Sequence, residues 1–144
     1  MTIKHTFSAT IDQLPLMMQR ICNQARALQF SPLEVSHIEL AVEEVLINII
    51  THGYKKKKEE CYIDITCPKN EDSTFALIIE DRGVPFDPVR ASKKCPAAEQ
   101  KPDIDKAILN GYGLFLIFQM MDKVDYWYED GKNVLSLTKY KKLG

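Results

Sequence analysis

The stretch Ser31-Pro32-Leu33-Glu34-Val35-Ser36-His37-Ile38-Glu39-Leu40-Ala41-Val42-Glu43-Glu44-Val45-Leu46-Ile47-Asn48-Ile49-Ile50-Thr51-His52-Gly53 reads as one helix with both ends marked. Ser31 is placed to be the N-cap, Pro32 sits at the first helical position, where a missing N–H costs nothing, and Glu34 closes a capping box. Val35, Ile38, Val42, Val45 and Ile49 recur at helical spacing as an apolar stripe, and Gly53 is a natural left-handed terminator. Glu44 and Asn48 stand four residues apart, one turn from each other on one face shared with Ala41 and Thr51. A carboxylate and an amide aligned this way can hold a cation, a water or a hydroxyl awaiting deprotonation. By itself the pair is weak, because such spacing arises readily on solvent faces.

Two further stretches carry chemistry. Asp81-Arg82-Gly83-Val84-Pro85-Phe86-Asp87-Pro88 follows the β-prone run Phe75 to Ile79. A carboxylate fixed at a strand end can accept a hydrogen bond from an exocyclic amine, and Gly83, lacking a Cβ, lets a ring approach the backbone. A plain turn would use the same residues. Asn110-Gly111-Tyr112-Gly113-Leu114 opens a short apolar helix through Leu114, Ile117, Phe118 and Met121. Glycines ahead of a helix start expose backbone N–H groups at the positive end of the helix dipole, which suits phosphate oxygens. No Gly-Lys-Ser/Thr follows, so this is not a Walker A loop, and a third glycine is missing for a dinucleotide fingerprint.

The remaining elements fall into place around these three. Ile3, His5 and Phe7 alternate as a short strand, and Thr10 to Gln13 reads as a capping box. The helix that follows carries Leu14, Met17, Ile21, Ala25 and Leu28 and runs to about Gln29. Residues 61–67 and 75–79 form a hairpin around the turn at 69–73. Asp130-Gly131 joins a strand bearing Val124, Tyr126 and Tyr128 to a last one bearing Val134, Leu135 and Leu137. From Pro88 to Asn110 no period is visible, and a loop this long within a domain is usually functional, often a lid. Lys55 to Lys58 suit a helix C-terminus as a solvated loop, with a docking patch for an acidic partner as the other reading.

Global properties narrow the function. The 144 residues fit one domain, 45% hydrophobic and 27% charged, with a net charge of −1. That balance gives no long-range field for nucleic acid or anionic lipid. Without a signal peptide or a bilayer-length apolar run, the expectation is a soluble, cytoplasmic protein with no membrane partner. Cys22, Cys61, Cys67 and Cys95 lack metal-ligand spacing and are expected to be reduced thiols.

The order and spacing of the three motifs, an acidic-Asn helix, an Asp-x-Gly strand end, a long lid and a Gly-x-Gly helix start, resemble the N, G1 and G2 boxes of the GHKL, or Bergerat-fold, ATPases. The details are similar to the anti-sigma-factor serine/threonine kinases of the RsbW and SpoIIAB type. Glu43 through Tyr54 resembles their N box, and Asp81-x-Gly83-x-x-Phe86-Asp87-Pro88 and Gly111-Tyr112-Gly113-Leu114 look like their other two. The likeness covers nearly the whole chain.

That resemblance implies an α+β two-layer sandwich: a mixed, mostly antiparallel sheet covered on one face by helices, in a single domain over 1–144 with an ATP lid at about 88–110. It implies ATP and Mg²⁺, with Asn48 on the metal and Glu44 as general base. Asp81 and Gly83 would meet the adenine, and Gly111, Tyr112, Gly113 and Leu114 the phosphates. It also implies a homodimer that binds a sigma factor and phosphorylates a serine of an anti-anti-sigma STAS-domain protein. The lid does not align with a family pattern, so an ATP-binding anti-sigma module without transfer chemistry stands as the alternative. A histidine-kinase reading through His37 is disfavoured, since His37 shares the helix of Asn48.

Overall fold

The computed structural model describes residues 3–53, 61–68, 73–92 and 113–142. In chain order they form β1 (Lys4–Ser8), a 3₁₀ turn (Ile11–Gln13), α1 (Leu14–Ala27), α2 (Pro32–Asn48) running into a π turn (Ile49–Gly53), β2 (Tyr62–Thr66), β3 (Thr74–Asp81), α3 (Pro88–Ser92), α4 (Gly113–Met120), β4 (Lys123–Glu129) and β5 (Lys132–Tyr140). The strands make one sheet ordered β1-β2-β3-β5-β4. Every described pairing is antiparallel, so the sheet expected to be mixed has no parallel pair among the described residues.

Alternation along β3 sends Phe75, Leu77, Ile79 and Asp81 to one face, where they are buried. That face also collects Ile63, Ile65 and Leu137, and it receives Met17 and Ile21 of α1, Ile38, Val42 and Leu46 of α2, and Ile117 of α4. The opposite face carries Glu80, paired with Lys4 at 3.1 Å and Lys132 at 3.5 Å. Helix α2 packs against both α1 and α4, which is why its sequence is apolar around most of its circumference. Among the described residues no helix is long and apolar enough to cross a membrane.

The end signals of α2 divide. The capping box at Ser31 forms: Ser31 Oγ accepts from Glu34 N–H at 3.1 Å, and Glu34 Oε1 accepts from Ser31 N–H at 2.9 Å. Gly53, however, does not adopt the left-handed conformation. The helix widens into the π turn instead, with Thr51 Oγ1 donating to the Ile47 carbonyl at 2.7 Å. The capping box expected at Thr10 is absent too. Thr10 makes no side-chain cap, and the 3₁₀ turn intervenes before α1 begins.

Helix α1 stops without a glycine. Gln29 takes φ 63°, and Phe30 N–H reaches back to the Ala25 carbonyl at 3.3 Å, the pattern of a Schellman motif. Asp130 (φ 53°) and Gly131 (φ 76°) turn the β4–β5 hairpin as expected, both residues in the left-handed region that a two-residue loop requires. The β2–β3 pairing also forms, while its turn at 69–72 lies outside the described residues. Cys22, Cys61 and Cys67 form no disulfide, and burial pushes Cys67 up to about 11. Cys95 and the lysine run at 55–58 lie outside the described residues.

Burial raises the pKa of Glu34, but hydrogen bonds from the Ser31 and Lys142 backbone N–H groups, the Ser31 hydroxyl and the charge of Lys139 outweigh it, so the net shift is downward from 4.5. The stability this carboxylate contributes is therefore complete above that ordinary value and is lost as pH falls through the lowered one. Ser31→Ala should cost about 1 kcal/mol in denaturant unfolding at pH 7. Glu34→Gln should be less stable than wild type at pH 7, and the gap should close in acid.

Candidate nucleotide site

The last two turns of α2 face a cavity of about 380 Å³. Its walls come from four other places as well: the π turn, the end of β3 with the loop after it, the start of α4, and the facing strands β4 and β5. Glu44 and Asn48 both line it, as their one-turn spacing anticipates. Of the residues expected to share their face, Ala41 is buried in the core and Thr51 does not line the cavity; His52 and Gly53 do. The π turn explains the change, because its wider winding carries Thr51 past the face that an ordinary helix would have given it.

Asp81 ends β3 buried at 7% exposure and lines the same cavity. Its Oδ1 accepts from Gly83 N–H at 2.8 Å and from Asn133 Nδ2 at 3.0 Å. Gly83 does not line the cavity. A Cβ there would stand 2.5 Å from the Gly53 carbonyl oxygen and 3.0 Å from Asp81 Oδ1. The need for glycine therefore arises from packing on the π turn, where Val84 N–H donates to the Gly53 carbonyl at 3.0 Å.

Beyond Gly83 the chain exposes Val84 and Phe86, at 55% and 51%, as an apolar lip. It then turns into α3, where Asp87 Oδ1 accepts from Val89 N–H at 2.9 Å and Arg90 N–H at 3.2 Å. Asp87 is thus an N-cap with Pro88 behind it, so the first five residues of the expected lid are helical rather than aperiodic. Positions 93–112, with Gly111 and Tyr112, lie outside the described residues.

Gly113 and Leu114 open α4 and line the cavity. A Cβ on Gly113 would overlap Glu44, 1.8 Å from its Oε1. The carboxylate therefore rests directly against the first residue of α4. Burial, and next the charge of Glu43, raise the Glu44 pKa above 4.5. No group of three or more His, Cys, Asp or Glu side chains that could hold a metal occurs among the described residues.

Asn133 is the residue that sequence reasoning missed. It follows the Asp130-Gly131 turn by two positions and pairs in register with Asp81. Its side chain bonds Asp81, the Gly83 and Val84 carbonyls, Phe86 N–H and the Tyr126 hydroxyl. The turn alone could have flagged the first inward position of β5; pairing of β5 with β3 is a long-range fact that the local pattern does not contain. His37, by contrast, is half-buried at the far end of α2, its pKa lowered by burial and then by Lys139 and Lys142.

The sequence profile described as histidine kinase-like ATPase domain matches residues 7–139. The chain belongs to that family. Its curated relatives include serine-protein kinase RsbW of Staphylococcus aureus strain RF122, 33% identical over 109 residues, which are 76% of this chain and 67% of that one. The same protein from strain MSSA476 is 32% identical over the same shares. Among solved structures, the RsbU and RsbW domains of Rv1364c from Mycobacterium tuberculosis match with TM-score 0.63 and 14% identity, covering 98% of this chain but 32% of that one. The SiaB–SiaC complex from Pseudomonas aeruginosa matches with TM-score 0.64 and 18% identity over 95% and 88%. These two likenesses concern the fold.

The raised Glu44 pKa has a stability consequence. Between 4.5 and the raised value the folded state holds more protons than the unfolded one, so stability falls as pH rises through that window. Glu44→Gln removes the buried charge. It should melt above wild type at pH 7.5, and the difference should disappear below pH about 4.5.

Proposed function

We propose that this chain is an ATP-dependent serine/threonine protein kinase that also acts as an anti-sigma factor. In this reading it works in the cytoplasm as a homodimer, binds a sigma factor in one state, and phosphorylates a serine of an anti-anti-sigma STAS-domain protein in another. One observation carries the reading: Glu44 and Asn48 on one wall, Asp81 on another and the start of α4 meet in a single cavity. The cavity belongs to a chain 33% identical to a serine-protein kinase over 76% of its length.

Phosphoryl transfer asks mainly for positioning and charge neutralisation, plus a base near the attacking hydroxyl. The adenine edge lies at Asp81, between the apolar lip of Val84 and Phe86 and the floor at Leu135. Gly111, Tyr112, Gly113 and Leu114 wrap the phosphates at the start of α4, where backbone N–H groups favour anions. Residues 88–110 serve as the lid. Asn48 lines the cavity and carries an amide oxygen, a hard donor that would suit Mg²⁺, an ion that takes one or two protein ligands and completes its shell with water and phosphate oxygens. Bound there, the ion neutralises charge on the transferring phosphate.

Glu44 accepts the proton of the substrate serine. A serine hydroxyl is a poor nucleophile at neutral pH, and a carboxylate whose pKa has risen toward the working pH is a stronger base than an ordinary one. It must be ionised to act, so transfer should fall as pH drops through its raised pKa.

The test is transfer of labelled phosphate from ATP to purified STAS-domain antagonists. Phosphoserine should form, and Glu44→Ala should slow transfer about 10²–10⁴-fold while ADP still binds. Asn48→Ala should abolish the gain in ADP affinity that Mg²⁺ confers. ATP binding without transfer to any antagonist would replace the kinase with a nucleotide-dependent binding module.

A further inference from the structure

Gly113 holds the first position of α4, and the room beside it is already taken. A Cβ built there would fall within the carboxylate of Glu44 and stand 2.5 Å from Glu44 Cγ, against about 3.5 Å for carbons in ordinary contact. The atoms nearest to it all belong to Glu44. The missing side chain of Gly113 is therefore the space that the Glu44 side chain fills. No backbone demand accounts for this glycine. Among the described residues Gly131 is the glycine with a positive φ, so the conformation at 113 is one that alanine adopts without strain.

We propose that Gly113 is a positioning residue for Glu44: it seats the carboxylate against the start of α4, and its effect falls on phosphoryl transfer rather than on nucleotide binding. The proposal rests on the reading of Glu44 as the base that takes the serine proton, and it adds the residue that fixes where that base stands. A glycine at a helix start is otherwise read as making way for a phosphate. Here the side on which a Cβ would stand faces Glu44.

What a methyl group at 113 would displace depends on how the two helices are held. Helix α4 is anchored by Leu116 and Ile117, both buried, and by Lys139 Nζ, which donates to the Met120 carbonyl at 2.7 Å. Helix α2 is anchored around Glu44 by Ala41, Val42 and Val45, also buried. The Glu44 side chain is the part free to yield. Turning the carboxylate about its last bond makes no room, because Cγ itself is too close. Rotation about Cα–Cβ sets the place of Cγ, and in a helix that bond has two common wells, about 120° apart. Glu44 must change wells, which carries its carboxylate out of the seat. Misplacing a reacting group by about 1 Å can cost about 10²-fold in rate. The backbone N–H groups at the start of α4 are unchanged by the substitution, so the donors offered to a phosphate remain.

The experiment compares wild type, Gly113→Ala, Glu44→Gln and the double variant. Gly113→Ala should slow transfer from ATP to a STAS-domain antagonist about 10²-fold, with ATP KM and ADP affinity within about twofold of wild type. In the Glu44→Gln background it should slow transfer no further, since the two residues act as one unit. Melting supplies a readout that needs no antagonist. Glu44→Gln should melt above wild type at pH 7.5 because the seated carboxylate is buried, and in the Gly113→Ala background that gain should shrink as the carboxylate swings into the open cavity. Glu43 beside it, and His52, Asp81 and Tyr126 around the cavity, are the same in all four proteins. An undiminished gain would overturn the proposal. So would Gly113→Ala that transfers at the wild-type rate, or that weakens ADP binding as much as it slows transfer. If Gly113→Ala prevents folding, adding Glu44→Ala must restore a cooperative melt, and a chain that stays unfolded would overturn the proposal too. Wild type that transfers no phosphate would overturn the kinase reading alone, and a shrinking gain would still mark Gly113 as the residue that seats Glu44.

Discussion

One side chain on β5 ties together β3, the loop that follows it and β4. Asn133 joins the end of β3, the loop from Gly83 to Phe86, and β4 through Tyr126. Asp81, buried at 7% exposure, takes one of its two Oδ1 hydrogen bonds from Asn133, and a buried polar group left unsatisfied costs on the order of 1–3 kcal/mol. The loop has no regular structure of its own between Asp81 and α3, so its position is set by what it bonds. The wall of the cavity is therefore as rigid as the β3–β5 pairing behind it. Burial raises the pKa of Tyr126 above 10.0; a hydrogen bond with the Phe86 backbone opposes the shift, and the charges of Asp87 and Asp81 and the neighbouring Tyr128 add to it.

The other end of the sheet does different work. Where β5 finishes, Lys139 donates to the Met120 carbonyl at 2.7 Å, at the C-terminus of α4. Lys141 donates to the Leu28 carbonyl at the end of α1 and lies 5.4 Å over the Phe30 ring. The Lys142 N–H bonds Glu34 at 3.0 Å, at the start of α2. Two helix ends that want positive charge and one that wants negative charge are thus gathered at one strand end. Helix α2 spans from that clamp to the cavity. It is fixed where nothing need happen and carries its polar pair, Glu44 and Asn48, at the opposite end.

Much of this was legible because the deciding signals are local. Ser31-Pro32-x-Glu34 specifies a helix start through contacts three residues apart, and it formed as read. Asp130-Gly131 specifies a hairpin through two backbone conformations, and it formed too. Thr10 offered the same hydroxyl as Ser31, but the 3₁₀ turn between it and α1 put the N–H groups it would cap out of register. Asp87-Pro88 carries a helix-start pattern as well, but the helix it opens is only five residues long, too short to show a period. Asn133 was not legible, since its importance comes from partners 47 to 52 residues away. Local pattern fixes elements; the site's inner connections depend on which strands meet.

The glycines make the same point from the opposite side. Motif reading assigns them to a ligand, as places where a ring or a phosphate comes close. At Gly83 the close neighbour is the Gly53 carbonyl, and at Gly113 it is the carboxylate of Glu44. The two differ in what a methyl group would do. At Gly83 it would meet backbone, which cannot move without shifting the π turn. At Gly113 it would meet the end of a flexible side chain, which can rotate away. An alanine at 83 therefore threatens the wall, whereas an alanine at 113 leaves the fold and displaces Glu44. Gly113 is in that sense part of what holds the carboxylate where it is, quite apart from any phosphate it meets. The glycines of these motifs are thus required first by the protein's own packing.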